Sequence, residues 1–245
     1  MMLGPHIQNG SEAAKSWARS AYVVKQIDNT DCLALARNDA HRVFRCYVPT
    51  YEQDSISPDE FCSRLRNRLG GYRHPQLYGE LLNEHHTPVA WVQAAVGFLH
   101  GAGLKVAGPG SWGTGDYGAD EWAAFRAAGW CSLDAITLHC YWGGAGFTQW
   151  NALRYRQFWQ PGDPPLLITE CGRDRVRDGN TAVDGGWIGG SWKTSGVSPT
   201  TYAEELLDYG AEIAADDYVL GATVFTAGGG RDWRNYDIDE IIPML

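Results

Sequence analysis

The chain has 245 residues, a formal net charge of −9, six cysteines and eleven tryptophans. That length buries a large core without help from disulfides or metals, and it lies close to the roughly 250 residues of an eight-fold α/β barrel. The acidic balance argues against a nucleic-acid partner, which normally needs a basic face, and no apolar stretch approaches the roughly 20 residues of a membrane span.

From the N-terminus, MMLGPHIQNG lacks a basic segment followed by an apolar run, so no signal peptide is visible. Localisation stays open between the cytoplasm and export through a leader removed beforehand. GPHIQ (4–8) reads as the first strand and SEAAKSWARS as the first helix. Strands then recur at AYVVKQI (21–27), RVFRCYV (42–48), QLYGELL (76–82) and LKVAGP (104–109). AITLHCYW (135–142), PLLITEC (165–171) and VLGATVFT (219–226) complete a set of eight. Between them lie DEFCSRLRNRL, PVAWVQAAVGFLHGAG, DEWAAFRAAGW and YAEELLDYGAEIAA, whose apolar residues recur at three- and four-residue steps, the period of an amphipathic helix. Ser57-Pro58, Thr87-Pro88 and Ser198-Pro199 mark helix starts, and Gly101 and Gly103 mark a helix end. Strict β-α alternation implies parallel strands joined by crossover helices. Eight units predict a single (β/α)8 barrel domain over residues 1–245, with only a short helix in DIDEIIPML after the last strand. Residues 172–199 form one long Gly-rich connection after the seventh strand, carrying Trp187 and Trp192. Connections of that length without structure of their own are usually functional or disordered, and this one falls on the face where barrel enzymes work.

Cys32, Cys46, Cys62, Cys131, Cys140 and Cys171 include no CxxC pair, so the expected state is six reduced thiols and no zinc or redox motif. The aromatic content exceeds what a core needs and hints at an aromatic-lined cleft.

Several residues do not belong in a core. LLNEHHTP places Asn83 and Glu84 just after the fourth strand, Glu170 ends the seventh, and His139 and Tyr141 end the sixth. All fall on the catalytic rim of a barrel. Glu84 is a poor helix cap, since Thr87 before Pro88 is expected to serve that role. Glu84, His85 and His86 lack the helical spacing of a metal site, so neither metal nor cofactor is expected. Two carboxylates across a barrel mouth suit the cleavage of a glycosidic bond.

With Asn-Glu after the fourth strand, Glu ending the seventh, and His139-x-Tyr141 between them, the chain resembles the clan A glycoside hydrolases, the retaining (β/α)8 superfamily, and especially its compact β-glucanase-like members. The resemblance runs through the whole chain in strand order. It implies Glu84 as acid/base, Glu170 as nucleophile, Asn83 as a ligand of a substrate hydroxyl, Tyr141 touching the nucleophile and an oligo- or polysaccharide substrate bound by a monomer. Three features depart from the family pattern. His85 stands where a proline often follows Asn-Glu. The eighth strand offers Phe225, or Trp233 beyond it, in place of a floor tryptophan. Arg45 is the candidate for the customary arginine, with an interior pair to Glu80 as the competing reading and Lys25 and Lys105 as possible members of the same buried network. Trp112, Trp142, Trp187 and Trp192 are candidates for stacking on sugar, each with interior packing as the alternative. Two other functions compete: a non-catalytic carbohydrate-binding barrel, and a barrel lyase or isomerase with a phosphate loop at AGGG (227–230) or a Schiff-base lysine.

Overall fold

The computed structural model describes residues 2–113, 115, 117–144, 146–174, 191–230 and 233–245. Its eight strands are β1 (Leu3–Ile7), β2 (Val23–Ile27), β3 (His41–Arg45), β4 (Leu77–Glu80), β5 (Lys105–Trp112), β6 (Ala135–Trp142), β7 (Leu166–Arg173) and β8 (Val219–Ala227). Every neighbouring pair is parallel, and β8 returns to pair with β1, so the sheet closes into a barrel in sequence order. The helices are α1 (Glu12–Ser20), α2 (Asp31–Leu35), α3 (Thr50–Gln53), α4 (Pro58–Leu69), α5 (Val89–Gly101), α6 (Ala119–Ala127) and α7 (Pro199–Ile213). None is long and apolar enough to cross a membrane.

Local chemistry explains the helix boundaries. Ser11, Ser57 and Ser198 each accept a hydrogen bond from a backbone N–H of the first turn, satisfying a donor the helix leaves orphaned. Gly70 ends α4 in the left-handed conformation at φ 56°, which glycine adopts without steric cost. The expectation at Thr87 fails: Pro88 precedes α5 without a side-chain cap, and the Thr87 hydroxyl lies 3.0 Å from His85 Nδ1 instead. The β-α alternation is also looser than the sequence suggests. Two helices, α3 and α4, join β3 to β4. Among the described residues, β6 and β7 are joined by one 3₁₀ turn, Arg154–Gln157, and the short C-terminal helix is a single 3₁₀ turn, Ile242–Met244.

The barrel interior is layered. At its base Val23, Val43, Tyr78, Ala107, Ala135 and Leu167 form an apolar cluster of their own. Side chains two residues along a strand share a face, so the next layer up from Val23, Val43, Tyr78 and Ala135 is Lys25, Arg45, Glu80 and Thr137. The core thus changes from apolar to charged as it approaches the mouth. The outer strand faces, Ile136, Leu138, Leu166 and Ile168 among them, pack in the larger core beneath the helices.

Candidate active site

Strict alternation from Leu167, which faces inward, would turn Glu170 outward. The pairing of β6 with β7 prevents this. Leu138 pairs with Ile168 and His139 pairs with Glu170, so β7 carries one extra residue at this point. The same shift appears against β8, between Ile168 and Cys171. A bulge of this kind re-aims the residues beyond it, and here it restores Glu170 to the interior beside His139. Glu84 reaches the mouth by a different device. Its backbone is left-handed, φ 47°, a conformation that costs a residue bearing Cβ about 1–3 kcal/mol and persists where the surroundings impose it. The surroundings here are Gly110, whose carbonyl accepts from the His85 N–H at 3.0 Å. A Cβ on Gly110 would lie 2.0 Å from the His85 carbonyl oxygen, so the close approach of β5 to this loop requires glycine.

The two glutamates share one neighbour. His139 Nδ1 is 2.8 Å from Glu84 Oε1 and 3.5 Å from Glu170 Oε2. Glu170 is buried and ringed by donors: Tyr141 Oη donates to its Oε2 at 2.7 Å, and Arg45 Nη1 and Lys25 Nζ lie 3.2 and 3.3 Å from its Oε1. Arg45 also donates to Asn83 Oδ1, and the Asn83 N–H donates to Gln53 of α3 at 3.1 Å. Arg45 therefore serves Glu170 and Asn83, while Glu80 is ion-paired to Lys25 at 2.8 Å. Lys105 is outside this network: at the start of β5 it donates to Gln76 and sits over the Tyr78 ring.

Burial alone would push the Glu170 carboxyl up, but the electrostatic influence of His139, Lys25, His6 and Arg45 around it holds it well below the usual carboxylate range. His6, whose Nδ1 is 3.5 Å from Glu170 Oε1, is itself pushed well below the usual imidazole range by burial and then by Lys25. Lys25, also fully buried, is pushed below the usual lysine value by burial and by Arg45, against the pull of Glu80 and Glu170. Tyr141 is driven well above its ordinary value by burial and by Glu170 and Glu84, so it stays a donor.

A cleft of about 490 Å³ opens above these groups, lined by Arg45, Asn83, Glu84, Tyr141, Glu170, Phe225 and Trp233. This volume is in the range of small-molecule sites. Phe225 stands edge-on to Trp233 and Tyr236, with ring centroids 5.0 and 5.4 Å away. Three tryptophans expected on the cleft are elsewhere. Trp112 packs against Tyr117, Trp122 and Phe125; Trp142 lies on Tyr209 and donates to Glu205; Trp192 stacks on Tyr202. All three are buried, because their strand or loop positions face the helices and not the mouth. Trp187 lies outside the described residues. Asp174 and Ser191 pair side by side at the two ends of that segment.

The cleft also holds residues the sequence did not single out: Gln8, Tyr47, Thr50, Asp174 and Tyr236. Tyr47 is 58% exposed, directly after the strand that carries Arg45, and its aromatic ring so close to a charged strand end was the available signal. Among the described residues no cluster of three or more His, Cys, Asp or Glu is arranged to hold a metal ion. All six cysteines are buried free thiols.

No family model matches the chain, and no curated protein matches it by sequence. Solved structures do. A glycoside hydrolase family 128 (subgroup I) endo-β-1,3-glucanase from Amycolatopsis mediterranei, in complex with laminaritriose, superimposes with a TM-score of 0.55 at 14% identity, over 92% of this chain and 88% of that one. A subgroup V exo-β-1,3-glucanase of the same family from Cryptococcus neoformans gives 0.52 at 11% identity, over 93% and 86%. What this chain shares with these glucanases, almost end to end, is the closed eight-stranded parallel barrel.

Proposed function

We propose that the protein is a retaining glycoside hydrolase acting on β-linked glucan, with Glu170 as nucleophile and Glu84 as acid/base. The observation that carries this reading is the shared histidine. With one nitrogen 2.8 Å from the first carboxylate and 3.5 Å from the second, the nearest carboxylate oxygens are at most about 6.3 Å apart, which favours the roughly 5–5.5 Å of a retaining pair over the 6.5–9.5 Å of an inverting one. Glu170, ionised by its cations, attacks the anomeric carbon while Glu84 delivers a proton to the departing oxygen. Glu84 then takes a proton from the water that releases the sugar. Tyr141 and Asn83 hold the nucleophile and a sugar hydroxyl, and Phe225, Trp233 and Tyr47 supply the flat walls. β-1,3-Glucan is the first polymer to assay, because laminaritriose is the ligand named for a glucanase of the same fold.

The two rival readings fit the same residues less well. A Schiff-base lysine must be accessible, whereas Lys25 is buried between two glutamates. In AGGG, Gly228 packs against the backbone of Asn9, whose side chain donates to its carbonyl at 2.8 Å, so that glycine serves chain packing. A purely binding barrel has no need of a carboxylate pair at this spacing.

The test is chemical rescue. Glu170→Ala is expected to lose turnover of an aryl β-glucoside or β-1,3-glucan, and azide is expected to restore a glycosyl azide of inverted configuration. Glu84→Ala should still form the glycosyl-enzyme from a substrate with a good leaving group, and azide should then give the retained product. Absence of β-glycoside cleavage by the wild type would move the binding barrel ahead, and wild-type turnover in both variants would remove the assignment.

A further inference from the structure

Lys25 projects from β2 into the barrel and is fully buried. Its Nζ lies 2.8 Å from Glu80 Oε2 and 3.3 Å from Glu170 Oε1. Glu80 is held in turn: its Oε1 accepts from Ser111 Oγ at 2.7 Å, and Ser111 lies 3.0 Å from Thr137 Oγ1. Ser111 makes this contact from a left-handed backbone, φ 46°. Four strands, β2, β4, β5 and β6, therefore fix one ammonium under a carboxylate on a fifth. A buried ion pair is seldom worth more to stability than apolar residues of the same volume. Keeping one here, on a layer whose neighbours below are Val23, Val43 and Ala135, points to a use in the chemistry.

The charges in this layer balance at rest. Lys25 and Arg45 are positive, and Glu80 and Glu170 are negative. Formation of a glycosyl-enzyme removes one negative charge, because Glu170 becomes an ester. The layer then carries one positive charge in excess, offset across the mouth by Glu84, which has given up its proton in the same step, and balance within the layer returns when Glu170 leaves as a carboxylate. We infer that Lys25, anchored by Glu80, is a positioning residue that keeps Glu170 anionic and drives the second half of the reaction, the release of the sugar. This inference rests on the retaining reading above. In that step the bond between the anomeric carbon and the Glu170 oxygen breaks and its electron pair returns to the carboxylate beside Lys25. A water oxygen bonds to the anomeric carbon, and the water's proton passes to Glu84.

Other groups also face Glu170: His6 from β1, Arg45 from β3, Glu84 after β4, His139 and Tyr141 from β6, and Asp174 and Tyr236 across the cleft. Glu80 is the second carboxylate paired to Lys25, at 2.8 Å, so the Lys25–Glu80 pair is removed together. Lys25→Met leaves Glu80 buried without its cation and can unfold the barrel, so Lys25→Met/Glu80→Gln is made beside it. The Glu170 carboxyl is titrated by ¹³C NMR in wild type and variants, its signal assigned by loss in Glu170→Gln. The expected result is a Glu170 titration moved up by about one pH unit or more in the double variant. With a dinitrophenyl β-glucoside, the same variant is expected to show a stoichiometric burst of dinitrophenol followed by a steady-state rate at least about tenfold below wild type, because loss of the sugar has become limiting. A Glu170 titration that does not move overturns the inference. A moved titration with no burst and no slower release overturns its second half. If the wild type cleaves no β-glycoside, the retaining reading fails, while the NMR titration still decides whether Lys25 sets the charge of Glu170.

Discussion

Tyr141 tests the scale of a single contact. Its hydroxyl donates to Glu170 at 2.7 Å from a ring that also touches the cleft. A hydrogen bond to a charged acceptor contributes about 1.5–3 kcal/mol, so Tyr141→Phe is expected to lower kcat roughly 10- to 100-fold with the fold intact by circular dichroism. Tyr47 offers the contrast: exposed on the cleft wall, it is placed to stack on sugar. Tyr47→Ala is expected to raise KM several-fold on oligosaccharides while kcat changes little, a split that steady-state kinetics reads directly. At this scale the sequence was informative about polar residues and poor about aromatic ones. Asn83, Glu84, His139, Tyr141 and Glu170 stood out because polar groups at apolar strand ends need a reason. Trp112, Trp142 and Trp192 did not sort themselves, since an aromatic ring at a strand end is equally at home against a helix. His6 was hidden for the opposite reason, as a lone polar residue in a short first strand.

The elements of the barrel were legible because period-two and period-3.6 patterns alternate along the chain. What escaped were features that break a pattern. The extra residue in β7 shows only in how that strand pairs with β6 and β8, and without it the parity of LLITEC places Glu170 on the wrong face. The connection from β6 to β7, which carries a 3₁₀ turn where an α-helix was expected, and the 3₁₀ ending are exceptions to alternation that no local residue announces. Gly110 is the element-scale position most open to test. Gly110→Ala would set a methyl group against the His85 carbonyl and push the Asn83–Glu84 loop from β5. We expect activity to fall by at least about 100-fold, the effect of an ångström-scale misplacement, with a much smaller change in the thermal unfolding midpoint. Ser198→Ala, which removes the hydroxyl that accepts from Thr201 N–H at the start of α7, should do the reverse: about 1 kcal/mol of stability lost in urea denaturation and turnover unchanged.

For the whole molecule, the buried charge layer fixes how stability follows pH. Glu170 and Glu80 both titrate below the ordinary carboxylate range when folded, held down against burial by the cations beside them. Their contribution is complete above about pH 4.3, the unfolded value, and is lost as pH falls through their folded values. His6 is excluded from its proton in the fold, so its contribution is complete above about pH 6.5 and declines below it. Urea midpoints are therefore expected to be flat near neutrality, to decline gently below about pH 6.5 and to drop steeply below about pH 4.3. In His6→Asn the gentle segment should become shallower, keeping the share of His41 and His74, which burial also holds below the usual imidazole range, and the steep one should remain. The packing of the tryptophans has an optical consequence as well. Trp112, Trp122 and Trp130 sit in one block with Tyr117, Phe125 and Phe158, sealed from solvent on the flank formed by α6. Among the described tryptophans, Trp233 is the one lining the cleft, against Phe225 and Tyr236. The buried block is a blue-shifted, exciton-coupled chromophore reporting on the integrity of one flank, and Trp233 adds an emitter at the mouth whose intensity should change when a glycan fills it, over a constant red-edge contribution from the exposed Trp150.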